Sequence, residues 1–190
     1  MGLDMYLSKK TYVKNWEHNG PDKQHSFEVK FGGVIRPDIK PGRISYVTEE
    51  VGYWRKFNAL HGWFVQNCGD GEDKCQEMYV SEIMMRELFD TLKKVQELLN
   101  QSEMVVKVMK DWNDRDYEVQ VYDKADEVEQ IFTPTQGFFF GSNEIDIYFK
   151  EEVDRTVVLI EELLGEDKMT LEGSAVTGIY PGDYYYQASW

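Results

Sequence analysis

No stretch of this 190-residue chain approaches the roughly 20 consecutive apolar residues that a membrane-spanning helix requires. Met1 to Leu7 lacks a cationic region followed by a long apolar run, so a signal peptide is not expected. Tyr6 stands where a myristoylation signal carries Ser or Thr. The expected location is cytoplasmic, with no membrane partner. Cysteine is scarce: Cys68 and Cys75 enclose an acidic glycine-containing loop, and their spacing makes neither a redox nor a zinc motif. A disulfide between them is geometrically allowed but not expected in a reducing compartment. Histidine is scarce too, and His18, His25 and His61 lack metal-ligand spacing. Asp111 to Asp116 resembles half a calcium loop without its turn glycine or closing glutamate. No metal and no cofactor are therefore expected.

Positive charge is also in short supply. Against 35 acidic residues stand 21 lysines and arginines, a formal net charge of −14. Phosphate backbones need clustered cations, so direct nucleic-acid binding through a broad surface is not expected. Most cations are mixed with acids, apart from Lys9-Lys10 and Arg55-Lys56. An acidic surface keeps a protein soluble, and can also attract a basic protein.

The chain does have core-forming material, with 42% hydrophobic residues and 14% aromatic ones, enough for one domain. Leu3 to Val13 alternates like a strand, and Phe27 to Ile35 reads as a second strand interrupted by Gly32-Gly33. Residues 49 to 67 read as an aromatic helix. Val80 to Asn100 carries Ile83, Leu88, Leu92, Val95 and Leu99 at helical spacing behind a capping Ser81. Met104 to Met109 and Tyr117 to Tyr122 read as a hairpin, a possible insertion over 104–122, turning at Trp112 to Asp116. Asp123 to Gln130 fits either helix or loop. Glu144 to Leu164 reads as a helix that Gly165 ends, and Asp183 to Trp190 as a last strand. About three helices with a mixed or antiparallel sheet define a single α+β domain.

Residues 49 to 64 gather the chemistry. As a helix, Tyr53, Phe57, Leu60 and Phe64 would form one apolar stripe, leaving Trp54, Asn58 and His61 on the neighbouring face beside Arg55, Lys56 and Trp63. A guanidinium fork suits phosphate or carboxylate, and aromatic rings suit a planar group. The alternative is a half-buried helix whose Asn58 and His61 satisfy nearby backbone groups. Gly137-Phe138-Phe139-Phe140-Gly141 places three rings between flexible hinges, so that Phe139 can stack on a ligand while its neighbours anchor. It is not a phosphate loop, because no Lys-Ser/Thr follows. Tyr185 and Gln187 share one face of the last strand and can line a pocket. Ser189 has no evident base. A chain that stops on Trp190 usually buries it or uses it at an interface, which is compatible with a homo-oligomer.

Four segments carry a resemblance: Met1-Gly2-Leu3-Asp4-Met5-Tyr6-Leu7, Val51 to Val65, Thr135 to Ser142, and Tyr186-Gln187-Ala188-Ser189-Trp190. Their order resembles an uncharacterised protein family of tailed phages and prophages, although the hairpin near 104–122 is longer than that pattern. The resemblance implies a viral setting, with the host cytoplasm as location, and supplies no chemistry. The leading expectation is binding of a small anionic planar ligand by Trp54, Arg55, Lys56, Asn58, His61, Trp63, Phe139 and Tyr185. Such a ligand is a nucleotide or a nucleotide-derived defence signal that the protein would sequester. One alternative is an enzyme acting on that ligand, with His61 as acid or base. Another is an acidic inhibitor that engages a host protein.

Overall fold

The computed structural model describes residues 2–110 and 113–190, so part of the turn expected at Trp112 to Asp116 lies outside them. Its organising element is β1 (Asp4–Tyr12), which pairs antiparallel with β4 (Tyr46–Arg55) on one side and β8 (Asp183–Ser189) on the other. A short strand, β5 (Met78–Val80), adds to β8 and gives the order β4-β1-β8-β5. Successive residues of β1 alternate between the faces of this sheet. Met5, Leu7 and Lys9 point inward, as do Trp54 of β4, Tyr184, Tyr186 and Ala188 of β8, and Met78 and Val80 of β5. Helices α1 (Asn58–Cys68), α2 (Glu82–Asn100), α3 (Ala125–Ile131) and α4 (Ile147–Thr177) supply the rest of the core. Two hairpins stand apart from the main sheet: β2 (Lys30–Phe31) with β3 (Val34–Ile35), and β6 (Met104–Lys110) with β7 (Asp116–Tyr122). The architecture is a single α+β domain with antiparallel sheets.

Helix α2 follows its sequence pattern closely. The Ser81 hydroxyl accepts from the Met84 backbone N–H, and Leu88, Leu92, Val95 and Leu99 are buried. Ile83, expected in the core, is 66% exposed, because the buried stripe starts at Met85 instead. The 104–122 hairpin forms with Met104 opposite Tyr122 and Lys110 opposite Asp116. Asp123 to Gln130 resolves into α3.

Three expectations are corrected. The helix expected over 49–67 is a strand as far as Arg55, and only Asn58–Cys68 is helical. Pairing with β1 outweighs the local helical spacing: Tyr6 faces Tyr53 and Met5 faces Trp54, so every second residue becomes interior. Gly52 serves this strand by leaving room, since a Cβ there would lie 2.6 Å from the Trp54 ring. The strand expected over 27–35 is instead a two-residue hairpin. Gly32 and Gly33, at φ 57° and 84°, make the tight turn that only positive φ allows. Finally, Gly165 does not end the last helix, and Glu144 does not begin it. Asp146 caps α4 by accepting from the Phe149 N–H at 2.9 Å, and Gly178, at φ 69°, terminates it. Among the described residues α3, which the sequence left open between helix and loop, joins the three expected helices, and β5 joins the sheet.

A buried ion pair favours continuation of α4 past Gly165. Asp167 sits past Gly165, is 5% exposed, and receives the Lys9 ammonium at 2.7 Å and the Tyr184 hydroxyl at 2.9 Å. The last third of the helix is thereby tied to the middle of the sheet. Breaking a buried pair from one side leaves an uncompensated charge, at a cost of about 3–5 kcal/mol. Lys9→Met is therefore expected to lower stability by about 3 kcal/mol in urea unfolding. Lys9→Met combined with Asp167→Asn, which removes the stranded charge but keeps an acceptor for Tyr184, is expected to recover much of that loss.

Candidate functional site

The four segments that carry the sequence resemblance meet at one end of the sheet. Leu3, fully buried, donates its N–H to the Phe139 carbonyl at 3.2 Å and accepts at its own carbonyl from the Lys56 N–H at 2.8 Å. The start of β1 is thus stitched to both the aromatic loop and the turn that links β4 to α1. Lys56 takes φ 60° in that turn, an uncommon conformation for a residue with a side chain. Gly141, at φ 94°, lies so close that a Cβ on it would be 2.9 Å from the Lys56 Cβ, and one on Gly2 would be 3.3 Å from the Lys56 Cε. Two glycines therefore embrace the lysine stem. The closing segment joins through Phe140, whose ring meets the Trp190 ring edge-on at 5.9 Å and the His61 ring at 5.0 Å.

His61 is 1% exposed and both of its ring nitrogens are engaged. Nε2 lies 2.9 Å from the Asp73 carboxylate and Nδ1 lies 2.8 Å from the Tyr186 hydroxyl. An ionised carboxylate only accepts, so Nε2 carries a proton; in the neutral imidazole Nδ1 is then the acceptor of the Tyr186 hydroxyl. The same Asp73 oxygen accepts from the Trp190 indole at 3.0 Å. Phe64 stacks on Tyr186 at 4.1 Å between centroids. Burial, with the Asp73 charge nearby, holds the Tyr186 phenol well above its ordinary pKa.

Outside this buried cluster lies a cleft of about 400 Å³. One wall is Arg55, Lys56, Phe57 and Asn58, and the floor is Gly141 and Ser142. The other wall is the start of α4 with Glu144, Asp146, Tyr148, Glu151 and Glu152. Arg55 is largely exposed, with Asp4 at 3.9 Å, and Lys56 makes no ion pair among the described residues. Asn58 is 2% exposed and is committed to the loop, its amide donating to the Ser142 carbonyl at 2.9 Å and to Asn143 Oδ1 at 2.8 Å. Burial raises the Glu144 carboxyl above its ordinary pKa, against the opposing effect of Lys107. Tyr148 is 72% exposed on the first turn of α4.

The structure therefore brings Arg55, Lys56 and Asn58 to one cleft and separates the other expected site residues. Trp54 is buried with its indole N–H on Thr156 Oγ1 at 2.8 Å, so it offers no face to a ligand. His61 lies behind the cleft in the core. Trp63 lines a different hollow with Gly62, Gln66 and Thr135. Phe139 packs against the core while Phe138 is almost fully exposed. Tyr185 lies on the opposite sheet face under the Lys10 ammonium, 4.3 Å from its centroid. Strand pairing explains this dispersal, since alternate residues of 52–55 point to opposite sides. Sequence reasoning missed Asp73 and Tyr186 as site residues, and it reads Glu144 and Tyr148, beside Asp146, as part of a solvated helix face. Only the acidic loop and the closing tyrosines hinted at the first two.

Among the described residues, no group of three or more His, Cys, Asp or Glu is placed to hold a metal ion, and no helix is long and apolar enough to cross a membrane. No protein-family model, curated protein or solved structure matches the chain.

Two tests follow from the buried cluster. Asp73→Ala strands the buried His61 N–H and removes the acceptor of the half-exposed Trp190 indole, and is expected to cost about 2 kcal/mol. Glu72→Ala, one residue away on the surface, is expected to cost less than about 0.5 kcal/mol. Alkaline titration supplies the second. The Tyr184 and Tyr186 phenols are raised, chiefly by burial, from an ordinary value of 10.0, and the Cys68 thiol is raised from 9.0 to about 11 by burial. The folded state then holds protons that the unfolded chain releases. Stability should be flat to about pH 9 and fall above it, steepening past pH 10 as the unfolded-state tyrosines ionise, at about 1.4 kcal/mol per pH unit for each group. Urea midpoints measured across pH 7 to about 11 would check the sign, and a rising midpoint would contradict it.

Proposed function

We propose that the chain is a phage-type small-ligand-binding protein whose ligand is a nucleotide or a nucleotide-derived signal of host defence. The observation that carries this reading is the pair Arg55 and Lys56 on one wall of the cleft, the lysine without an ion-pair partner among the described residues. A phosphate suits those two cations. The facing carboxylates Glu144 and Glu151 suit donors such as ribose hydroxyls or an exocyclic amine, and Tyr148 offers an exposed ring on which a base can stack. A volume of about 400 Å³ falls within the usual range for small-molecule sites. The engagement of both His61 nitrogens inside the core supports binding over turnover, because neither is free to take a substrate proton. Sequestration in the host cell follows from that reading: a protein that holds a signalling nucleotide without converting it lowers the free signal by mass action.

The test is a thermal-unfolding screen with linear and cyclic mono- and dinucleotides. A ligand present at about 100 times its Kd stabilises by about 2.7 kcal/mol, which for a domain of this size raises Tm by roughly 5–10 °C. The expected outcome is such a rise for one nucleotide class, lost in an Arg55→Gln/Lys56→Gln variant that melts normally without ligand. Absence of any shift across the panel, or a shift indifferent to that variant, overturns the reading.

A further inference from the structure

The face of the main sheet turned away from the helices is covered with tyrosine. Tyr6 of β1 lies against Tyr53 of β4 at 5.3 Å, Tyr12 against Tyr46 at 5.2 Å, and Tyr79 of β5 against Tyr185 of β8 at 5.7 Å. Tyr12, Tyr46, Tyr53 and Tyr79 are 40–59% exposed. Tyrosine rings in water on a regular sheet face are not needed for folding, since the opposite face already packs the core. Their enrichment is a property of recognition surfaces, where a rigid ring gives large contact area at low entropic cost.

Charge identifies the occupant. The two cations on this face are already answered: the Lys10 ammonium is held by Glu77 at 2.6 and 2.7 Å, and Arg55 faces Asp4 at 3.9 Å. Glu50, opposite Ser8, and Asp183, opposite Lys10, lie on the same face with no ion-pair partner among the described residues. The face is therefore aromatic with surplus negative charge, on a chain of net charge −14. Lys10 shows the chemistry such a face takes. Its ammonium sits over the Tyr185 ring at 4.3 Å while its charge is satisfied by a carboxylate. A single-stranded nucleic acid would find rings to stack on but no free cation for its phosphates, and a second copy would bring a like charge.

We propose that the open tyrosine face of the β4-β1-β8-β5 sheet docks an arginine- or lysine-rich segment of a partner protein, with cations seated over the tyrosine rings and answered by Glu50 and Asp183. This surface adjoins the nucleotide cleft at Arg55, and the proposal does not rest on a ligand in that cleft. The test measures fluorescence anisotropy at physiological ionic strength with three labelled probes of equal length: an arginine–glycine repeat peptide, a glutamate–glycine repeat peptide and oligothymidine. The arginine–glycine peptide is expected to bind, the other two not. Tyr53→Ala/Tyr79→Ala is expected to weaken it about ten-fold. Glu97→Gln/Glu118→Gln, which removes two negative charges elsewhere on the surface and leaves the tyrosine face intact, is expected to leave it within about two-fold. Both variants are checked by thermal melting. Equal weakening by the two variants, or none by the tyrosine pair, marks general attraction to an acidic protein and overturns the proposal. Tighter binding of oligothymidine at the same tyrosines assigns the face to nucleic acid instead. A dimer in sedimentation that Tyr53→Ala/Tyr79→Ala dissociates assigns it to a second copy.

Discussion

Strand β1 is the element on which the rest depends, because both of its edges are occupied along nearly its whole length. From Asp4 to Lys10 every residue has a partner on β4 and another on β8, drawn from chain positions 48–55 and 183–189. Pairings of such long sequence separation form late and are costly in loop entropy, so the sheet requires most of the chain to be in place. Once it is in place, Leu3 has no freedom left. Its N–H and carbonyl fix the aromatic loop at Phe139 and the turn at Lys56, and those two contacts build the cleft.

Besides the Trp54–Thr156 bond, the polar side chains that β1 and its neighbours bury include two sets with different work. Lys9, Asp167 and Tyr184 tie α4 to the sheet at one end. Asp73, His61, Tyr186 and Trp190 tie an acidic loop, α1 and the closing strand at the other. Each set leaves no side-chain polar atom orphaned, as buried groups require. Each also fixes position more than it adds stability, because buried charges give back in desolvation much of what they gain from pairing. That division places the imidazole in the scaffold and leaves the Arg55 and Lys56 side chains at the surface.

The sequence made some of this legible and hid the rest for identifiable reasons. Helix α2 was readable because its apolar positions, its Ser81 cap and its length agree. The 104–122 hairpin and the first and last strands were readable from alternation. Residues 49–57 were not, because Tyr53, Phe57, Leu60 and Phe64 satisfy a helical period by accident of spanning a strand, a turn and a helix. The clustering of Arg55 with Lys56 survived that error, since adjacent residues at a strand end stay adjacent in any backbone. The grouping of Trp54, His61 and Trp63 with them did not, because it needed one continuous helix. The Lys9–Asp167 pair was invisible, as nothing in either local sequence marks partners 158 residues apart. Gly165 misled because glycine permits a helix end without requiring one. In its place Asp167, buried two residues further on, makes continuation favourable.

The protein also inverts an ordinary distribution. Asparagine, histidine, lysine and aspartate are inside, each partnered, while tyrosines line the open sheet face. The interior polar groups are satisfied by the two networks, by the Asn58 contacts to Ser142 and Asn143 and by the Trp54–Thr156 bond, so they demand no ligand. The exposed tyrosines have no comparable structural reason, which is why they weigh more heavily as evidence of recognition. Arg55 stands where the two surfaces adjoin. It ends β4, lines the cleft, and faces Asp4 on the tyrosine side, where the Tyr53 hydroxyl donates to the same carboxylate oxygen at 2.6 Å. An anionic ligand that drew Arg55 into the cleft would take a cation from beside Asp4 and leave that face more negative. Occupation of the cleft would then favour a basic partner on the sheet, and by reciprocity of coupling the partner would favour the ligand.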